Sequence, residues 1–221
     1  MNDEELRRLR EAELAFFGRI AAGISHDMRN VLSIIGEYAG LLEDLAALAE
    51  RGKPVDLERL KKVSGSVGRQ VRKGTETMER FSRFAHAADE QTASFDLAGL
   101  VENTAALAQR HVAQAGCRLE VELPEGALPV RSNPFSLQRA VHCAVDTILS
   151  CPKREEMIAI RIVREGPGAV IRVSGRVERG TDGELAARIA QLSAVLSELR
   201  GSLETSATDD TLCLALSVPI E

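Results

Sequence analysis

The chain has 221 residues, room for one large domain or two small ones. Its 44% apolar and 28% charged residues are the balance of an ordinary globular protein. With 3% aromatics, no Trp and one Tyr, it lacks the stacking platforms of proteins that bind single strands or sugars. A net charge of −5 likewise lacks the basic footprint of a nucleic-acid binder.

No apolar run approaches the roughly 18–20 residues of a membrane span, and Met1-Asn2-Asp3-Glu4-Glu5 is not the basic start of a signal peptide. Neither a membrane nor a nucleic acid is therefore expected as a partner. Cys117, Cys143, Cys151 and Cys213 form no Cys-x-x-Cys pair and lie at no zinc-finger spacing to a His. They read as reduced, mostly buried side chains of a cytoplasmic protein.

Residues 4–50 contain no Pro and carry an apolar stripe: Phe17, Ile20, Ile24, Met28, Val31, Ile35, Tyr38, Leu42 and Leu45. Steps of three and four make this the seam of a bundle helix. Gly52 and Pro54 break it, and Asp56 suits the N-cap of a second helix over 57–88. The inner stripe of that helix reads as Leu60, Ser64, Val67, Val71, Thr75, Met78 and Phe81. Gly65, Gly68 and Gly74 weaken it, each by roughly 0.5–1 kcal/mol relative to Ala. Two antiparallel helices cannot bury both stripes against each other alone. A homodimer whose two hairpins form a four-helix bundle solves this; a monomer with the hairpin packed on its own second half is the alternative.

His26 follows seam residue Ile24 by two positions and so faces the flank and solvent. Asp27 is adjacent and can hold or deprotonate the imidazole. Asn30 lies one turn on, on the same face, where its amide can orient a water or a phosphoryl oxygen. On its own, a His on a charged helix face is usually just solvated. His86 and His111 take that plain reading, and Arg7, Arg8 and Arg10 read as the wet face of the first helix.

Beyond a linker around 89–94, residues 95–115 read as a helix capped by Asp96, and 118–123 as a strand. Residues 133–149 form a helix with Pro134 in its first turn. Strands over 157–164 and 169–174 are joined by Glu165-Gly166-Pro167-Gly168. A helix over 182–200, closed by Gly201, precedes a second hairpin of 202–207 and 211–218 across Thr208-Asp209-Asp210. The fold class is thus α+β: a helical hairpin over residues 1–90 and an α/β sandwich over 91–221.

Ser25-His26-Asp27-Met28-Arg29-Asn30-Val31-Leu32 resembles the His-Glu/Asp-x-x-Asn/Thr-Pro-Leu box of sensor histidine kinases, with Val31 in place of the proline. The order of the second-half elements and the ending around Gly201-Ser202-Leu203 resemble the ATP-binding sandwich of the same family and its gyrase and chaperone relatives. The resemblance implies that His26 accepts a phosphoryl group, that Asp27 is its acid/base partner, and that Asn30 supports dephosphorylation of a receiver domain. It also implies a nucleotide site that this chain has lost. The helix expected to carry magnesium- and phosphate-binding asparagines reads Gln138-Arg139-Ala140-Val141-His142-Cys143-Ala144-Val145-Asp146-Thr147, with only Asp146 as a possible cation ligand. The adenine-recognising Asp-x-Gly-x-Gly is replaced by Val173-Ser174-Gly175-Arg176-Val177. Thr181-Asp182-Gly183-Glu184-Leu185, after a short connection, replaces the Gly-x-Gly-Leu-Gly phosphate loop.

The function this implies is a histidine phosphotransferase of a phosphorelay, similar to the dimeric phosphotransferases that pair a kinase-like hairpin with a degenerate ATP domain. His26 would take the group from the aspartate of one response-regulator receiver domain and pass it to another. No cofactor is expected on this chain; Mg²⁺ belongs to the partner receiver. The stretch before His26 is too short for a sensor domain, so none is expected there. An atypical histidine kinase, a receiver phosphatase using Asn30, and a non-catalytic dimeric scaffold are the alternatives.

Overall fold

The Pro-free start of the chain forms a single long helix, α1 (Asp3–Glu50), in the computed structural model. The structure describes residues 3–151, 153–166, 168–177, 183–208 and 210–219. Gly52 ends α1 in the left-handed region at φ +76°, while the amide of Lys53 reaches back to Leu48 O at 3.1 Å. Asp56 Oδ1 then accepts from Arg59 N at 3.0 Å and caps α2 (Leu57–His86). Among the described residues, no helix is long and apolar enough to cross a membrane.

The chain divides into two compact units: Phe17–Arg83, and the residues up to Phe16 together with Phe84 onward. In the first, α1 presents the seam read from its periodicity. Ile20, Ile24, Val31 and Leu45 are buried, and Phe17, Met28, Ile35, Tyr38 and Leu42 are half-buried.

Within this unit α2 buries Val63, Ser66 and Gly74. Of the stripe expected to lie inside a four-helix bundle, Val67 and Phe81 are half-buried in the single chain, while Leu60, Val71 and Met78 are 36%, 51% and 45% exposed and Ser64 and Thr75 are exposed as well. A helix laid against a single neighbour buries one narrow stripe, and close approach selects small residues for it. Apolar periodicity instead marks a face that this one pairing leaves open.

In the second unit, two short strands escaped the sequence reading: β1 (Ala93–Asp96) and β3 (Pro129–Ser132), paired antiparallel with Ala93 opposite Ser132. Four residues are too few to show alternation, and over thirty residues, a helix and a strand among them, separate the two partners. They shorten the expected linker and start α3 (Leu97–Gln114) later than expected. Asp96 anchors the junction. One carboxylate oxygen caps α3 by accepting from Gly99 N at 3.1 Å, and the other accepts from Leu128 N at 2.7 Å.

The remaining elements follow the expected order: β2 (Arg118–Glu122), α4 (Pro134–Ser150), β4 (Lys153–Glu165), β5 (Gly168–Val177), α5 (Gly183–Glu198), β6 (Ser202–Thr208) and β7 (Thr211–Pro219). The expected turn residues Pro167 and Asp209 lie outside the described residues. The sheet order is β2-β4-β5-β7-β6, with β2 and β4 parallel and the other neighbours antiparallel.

Every second residue of the central strands faces the helices. Ile158, Ile160 and Ile162, Ile171 and Val173, and Leu212, Leu214 and Leu216 are all buried, as a sheet covered on one face requires. Cys117 is buried and the other three cysteines are half-buried, and none is joined in a disulfide. Phe16 and Phe84, each 1% exposed, meet edge-on at 5.4 Å, and both lie against Phe135 at 5.5 and 5.8 Å. The aromatic cluster ties the start of α1 and the end of α2 to α4 within this unit.

Leu196 O ends α5 by accepting from Leu199 N at 3.0 Å and Gly201 N at 2.8 Å. A Cβ on Gly201 would run into the backbone oxygen of Ser217. Gly201→Ala is therefore expected to lower stability by about 1–3 kcal/mol in urea unfolding. Gly183→Ala, where a Cβ meets open space, should leave the midpoint unchanged.

Candidate functional site

The rotation of α1 sets the site. With Ile24 and Val31 buried one heptad apart, His26 and Asn30 are carried to the exposed side, while Asp27 and Met28 are half-buried. One turn of helix thus groups the three predicted residues, and Ser25 Oγ, beside them, donates to Ala21 O at 2.8 Å. The opposing helix approaches closely behind this turn. A Cβ on Gly74 would stand 3.3 Å from Val31 Cγ1 and 3.4 Å from Met28 Cε. Gly65 and Gly68, by contrast, would meet only the tips of Arg69 and Arg72 at 3.7 and 3.6 Å. Of the three glycines read as weakening α2, Gly74 is the one that packing requires.

A second polar constellation sits on α4. Asn133 caps it by accepting from Ser136 N at 2.8 Å, and Pro134 occupies the first turn. Arg139, whose side chain is 3% exposed, lies between Glu13 Oε1 at 3.6 Å and Glu198 Oε2 at 3.7 Å. Burial pushes the Glu198 carboxyl up from its ordinary range; the nearby Arg139 charge opposes that and the Glu13 charge adds to it.

One turn further, buried His142 presents Nδ1 to Asp146 Oδ2 at 3.2 Å, and His111 of α3 presents Nε2 to Asp146 Oδ1 at 3.1 Å. The two imidazoles are nearly parallel at 6.1 Å, and the Phe16 ring meets His142 edge-on at 5.1 Å. His111 is therefore not a merely solvated surface residue, and both oxygens of Asp146 face imidazole nitrogens. The His142–Asp146 spacing of four was visible in the sequence. His111 is 35 residues away on another helix, and no local signal could place it there. Among the described residues, no group of three or more His, Cys, Asp or Glu side chains could hold a metal ion.

At the positions read as a lost nucleotide site, Val173 is fully buried in β5. Gly175 is also buried, and a Cβ there would fall 2.6 Å from Ile148 Cγ2, so this glycine serves the packing of α4 on β5. Thr181 and Asp182 lie outside the described residues; Gly183, Glu184 and Leu185 begin α5.

Among solved structures, the catalytic domain of histidine kinase ThkA in one nucleotide-free form matches at a TM-score of 0.51 and 12% identity, over 59% of this chain and 97% of that domain. Another nucleotide-free form of it matches at 0.50 and 13%, over 59% and 99%. The fold is that of a histidine kinase catalytic domain. The histidine kinase AdeS of Acinetobacter baumannii aligns with 89% of this chain and 98% of its own at 15% identity and a TM-score of 0.49. No protein-family model and no curated protein sequence matches the chain.

The glycines of α2 provide a direct check on the hairpin. Gly68→Ala is expected to stabilise by about 0.5–1 kcal/mol through helix propensity. Gly74→Val should destabilise by about 1–3 kcal/mol by pressing on Met28 and Val31. Thermal unfolding of the two variants beside the wild type would show shifts of opposite sign.

Proposed function

We propose that the chain is a dimeric histidine phosphotransferase of two-component signalling, with His26 as the phosphoryl carrier. The supporting observation is an exposed His26 beside Asp27 and Asn30 on one turn of a bundle helix. It stands in a chain whose other unit has the kinase catalytic fold but buries Val173 where an adenine-recognising aspartate is implied.

A ring nitrogen of His26 attacks the phosphorus of a receiver's aspartyl phosphate in line. The N–P bond forms as the acyl O–P bond breaks, the receiver aspartate leaves as a carboxylate, and the imidazole proton passes to solvent or Asp27. Transfer to a second receiver runs the same step backwards. The receiver contributes the acidic pocket and its Mg²⁺; this chain contributes the nucleophile, held rigid because a helix with locked seam residues positions it. Asn30, exposed one turn along, favours one further activity, orienting a water against a receiver's aspartyl phosphate.

Leu57, Leu60, Val71 and Met78 form one exposed apolar stripe on α2, 63%, 36%, 51% and 45% open to solvent. Such a stripe at heptad spacing suits a second copy of the hairpin. The double substitution Val71→Glu and Met78→Glu is expected to convert a dimer into a monomer in sedimentation equilibrium, with helicity retained. A wild type that sediments as a monomer at micromolar concentration would sink the four-helix-bundle reading.

Transfer from ³²P-labelled receivers tests the reaction itself. Label is expected on the wild type and not on His26→Ala, with none arriving from [γ-³²P]ATP. Autophosphorylation from ATP would establish a kinase instead. Net loss of receiver phosphate that disappears in Asn30→Ala would mark a phosphatase, and intact receiver binding without any label would leave a scaffold.

A further inference from the structure

Strand β6 ends the five-stranded sheet and, among the described residues, pairs with β7 alone. The pairing runs in continuous register, from Ser202 opposite Ser217 to Thr208 opposite Thr211, with no bulge. All residues of β6 are exposed except Leu203, which is half-buried. An edge strand presents a row of unused N–H and C=O groups, and soluble proteins blunt it with charges, proline, a bulge or a cover. β6 has no proline, no lysine or arginine and a single charge, Glu204. The opposite edge is different. Arg118, Glu120 and Glu122 make three of the five residues of β2 charged, and all three are exposed.

The helix beside this edge adds a second observation. α5 packs on both β6 and α4, and Glu198, 3.7 Å from Arg139, marks the flank that α5 turns to α4. Ala186, Ala190, Ser193 and Ser197 follow one another at helical spacing on the other flank, and all are exposed. Ser197 Oγ is turned back onto its own helix, donating to Ser193 O at 2.9 Å. The open edge of β6 therefore adjoins a helix flank of small, uncharged residues.

We propose that β6 pairs antiparallel with β6 of a second copy of this chain, about a two-fold axis at Thr205. Centred there, every residue of the strand finds a partner: Thr205 meets its own copy, Glu204 meets Ser206, Leu203 meets Ala207 and Ser202 meets Thr208. No charge stands opposite a like charge. Leu203 and Ala207 lie beside buried Leu216 and Leu212, so their pairing continues the apolar layer under the sheet. An axis at Glu204 would oppose two carboxylates, and an axis at Ser206 would leave Ser202 and Leu203 without strand partners. Such self-complementarity is what an isologous contact requires, and small residues on α5 let the two helices approach across the axis. A pair of seven-residue strands is smaller than a standard interface of roughly 800 Å² per partner, so it forms at higher concentration than the hairpin pairing and joins hairpin pairs to one another. Neither α2 nor His26 takes part, so this reading and the proposed function stand or fall separately.

Cross-linking and sedimentation of the full chain test the contact. Opposed Cα atoms of an antiparallel pair stand about 4.5–5.5 Å apart, within reach of a disulfide. Thr205→Cys is therefore expected to give a covalent dimer as its main product under mild oxidation. Thr208→Cys, held about 20 Å from its own copy by the register, should cross-link no more than the wild type. In sedimentation velocity at millimolar protein, the wild type should gain mass with concentration. Thr205→Lys alone and Thr205→Glu alone should not, because each sets like charges at the axis, while an equal mixture of the two should gain mass again. Equal cross-linking of Thr205→Cys and Thr208→Cys, a wild type whose mass is independent of concentration, or charged variants that gain mass as the wild type does would overturn the proposal.

Discussion

The burial of α4 is the constraint on which the larger unit depends. Ala140, Val141, Ala144, Val145 and Ile148 are all essentially inaccessible and form the centre of the core beneath the sheet. The same helix buries Gln138, Arg139 and His142 on other sides. A charge removed from water is costly unless it is paired, so a helix enclosed this way must bring its own compensation. Arg139 therefore lies between two carboxylates from α1 and α5, and His142 lies on Asp146 one turn along. These pairings join α4 to its neighbours more specifically than apolar contact alone, because a slipped register would leave a buried charge without its counterpart.

The hairpin obeys a different rule. Its two helices share a seam in which α2 contributes the small residues Ser66 and Gly74 beside Val63 and Phe81, whose ring lies 6.2 Å from that of Phe17. The close approach at Gly74 sits behind Met28 and Val31, so the turn bearing His26 is backed by packed side chains on its inner side. A helix thus pinned from within presents the residues on its outer face in a fixed direction, which the proposed role of His26 requires. What α2 leaves outside is a largely exposed apolar stripe, and that stripe carries the case for the proposed second copy.

Much of this was legible along the chain. Asp96 and Asn133 are N-caps, each accepting from the amide three residues on, because a short polar side chain before an apolar run satisfies an orphan donor at a helix start. The strands read over 118–123, 157–164, 169–174, 202–207 and 211–218 correspond to β2, β4, β5, β6 and β7. The stripe of Leu60, Val71 and Met78 was assigned to the inside of a four-helix bundle, and a single chain, in which these residues are exposed, does not test that assignment. β1 and β3 were missed because four-residue strands carry no period, and their pairing is decided by residues more than thirty positions away.

The sequence by itself determined the longer elements, the caps at Asp56 and Asp96, and the rotation of α1 that turns His26 and Asn30 outward, since these follow from local periodicity and backbone chemistry. Tertiary structure alone decided which face of α2 meets α1, because that depends on how closely two helices can approach. It also decided that His111 joins His142 on one carboxylate and that Arg139 is held between Glu13 and Glu198. These are meetings of groups far apart in the chain, and burial, which makes an unpaired charge intolerable, is a property of the folded molecule and not of any segment.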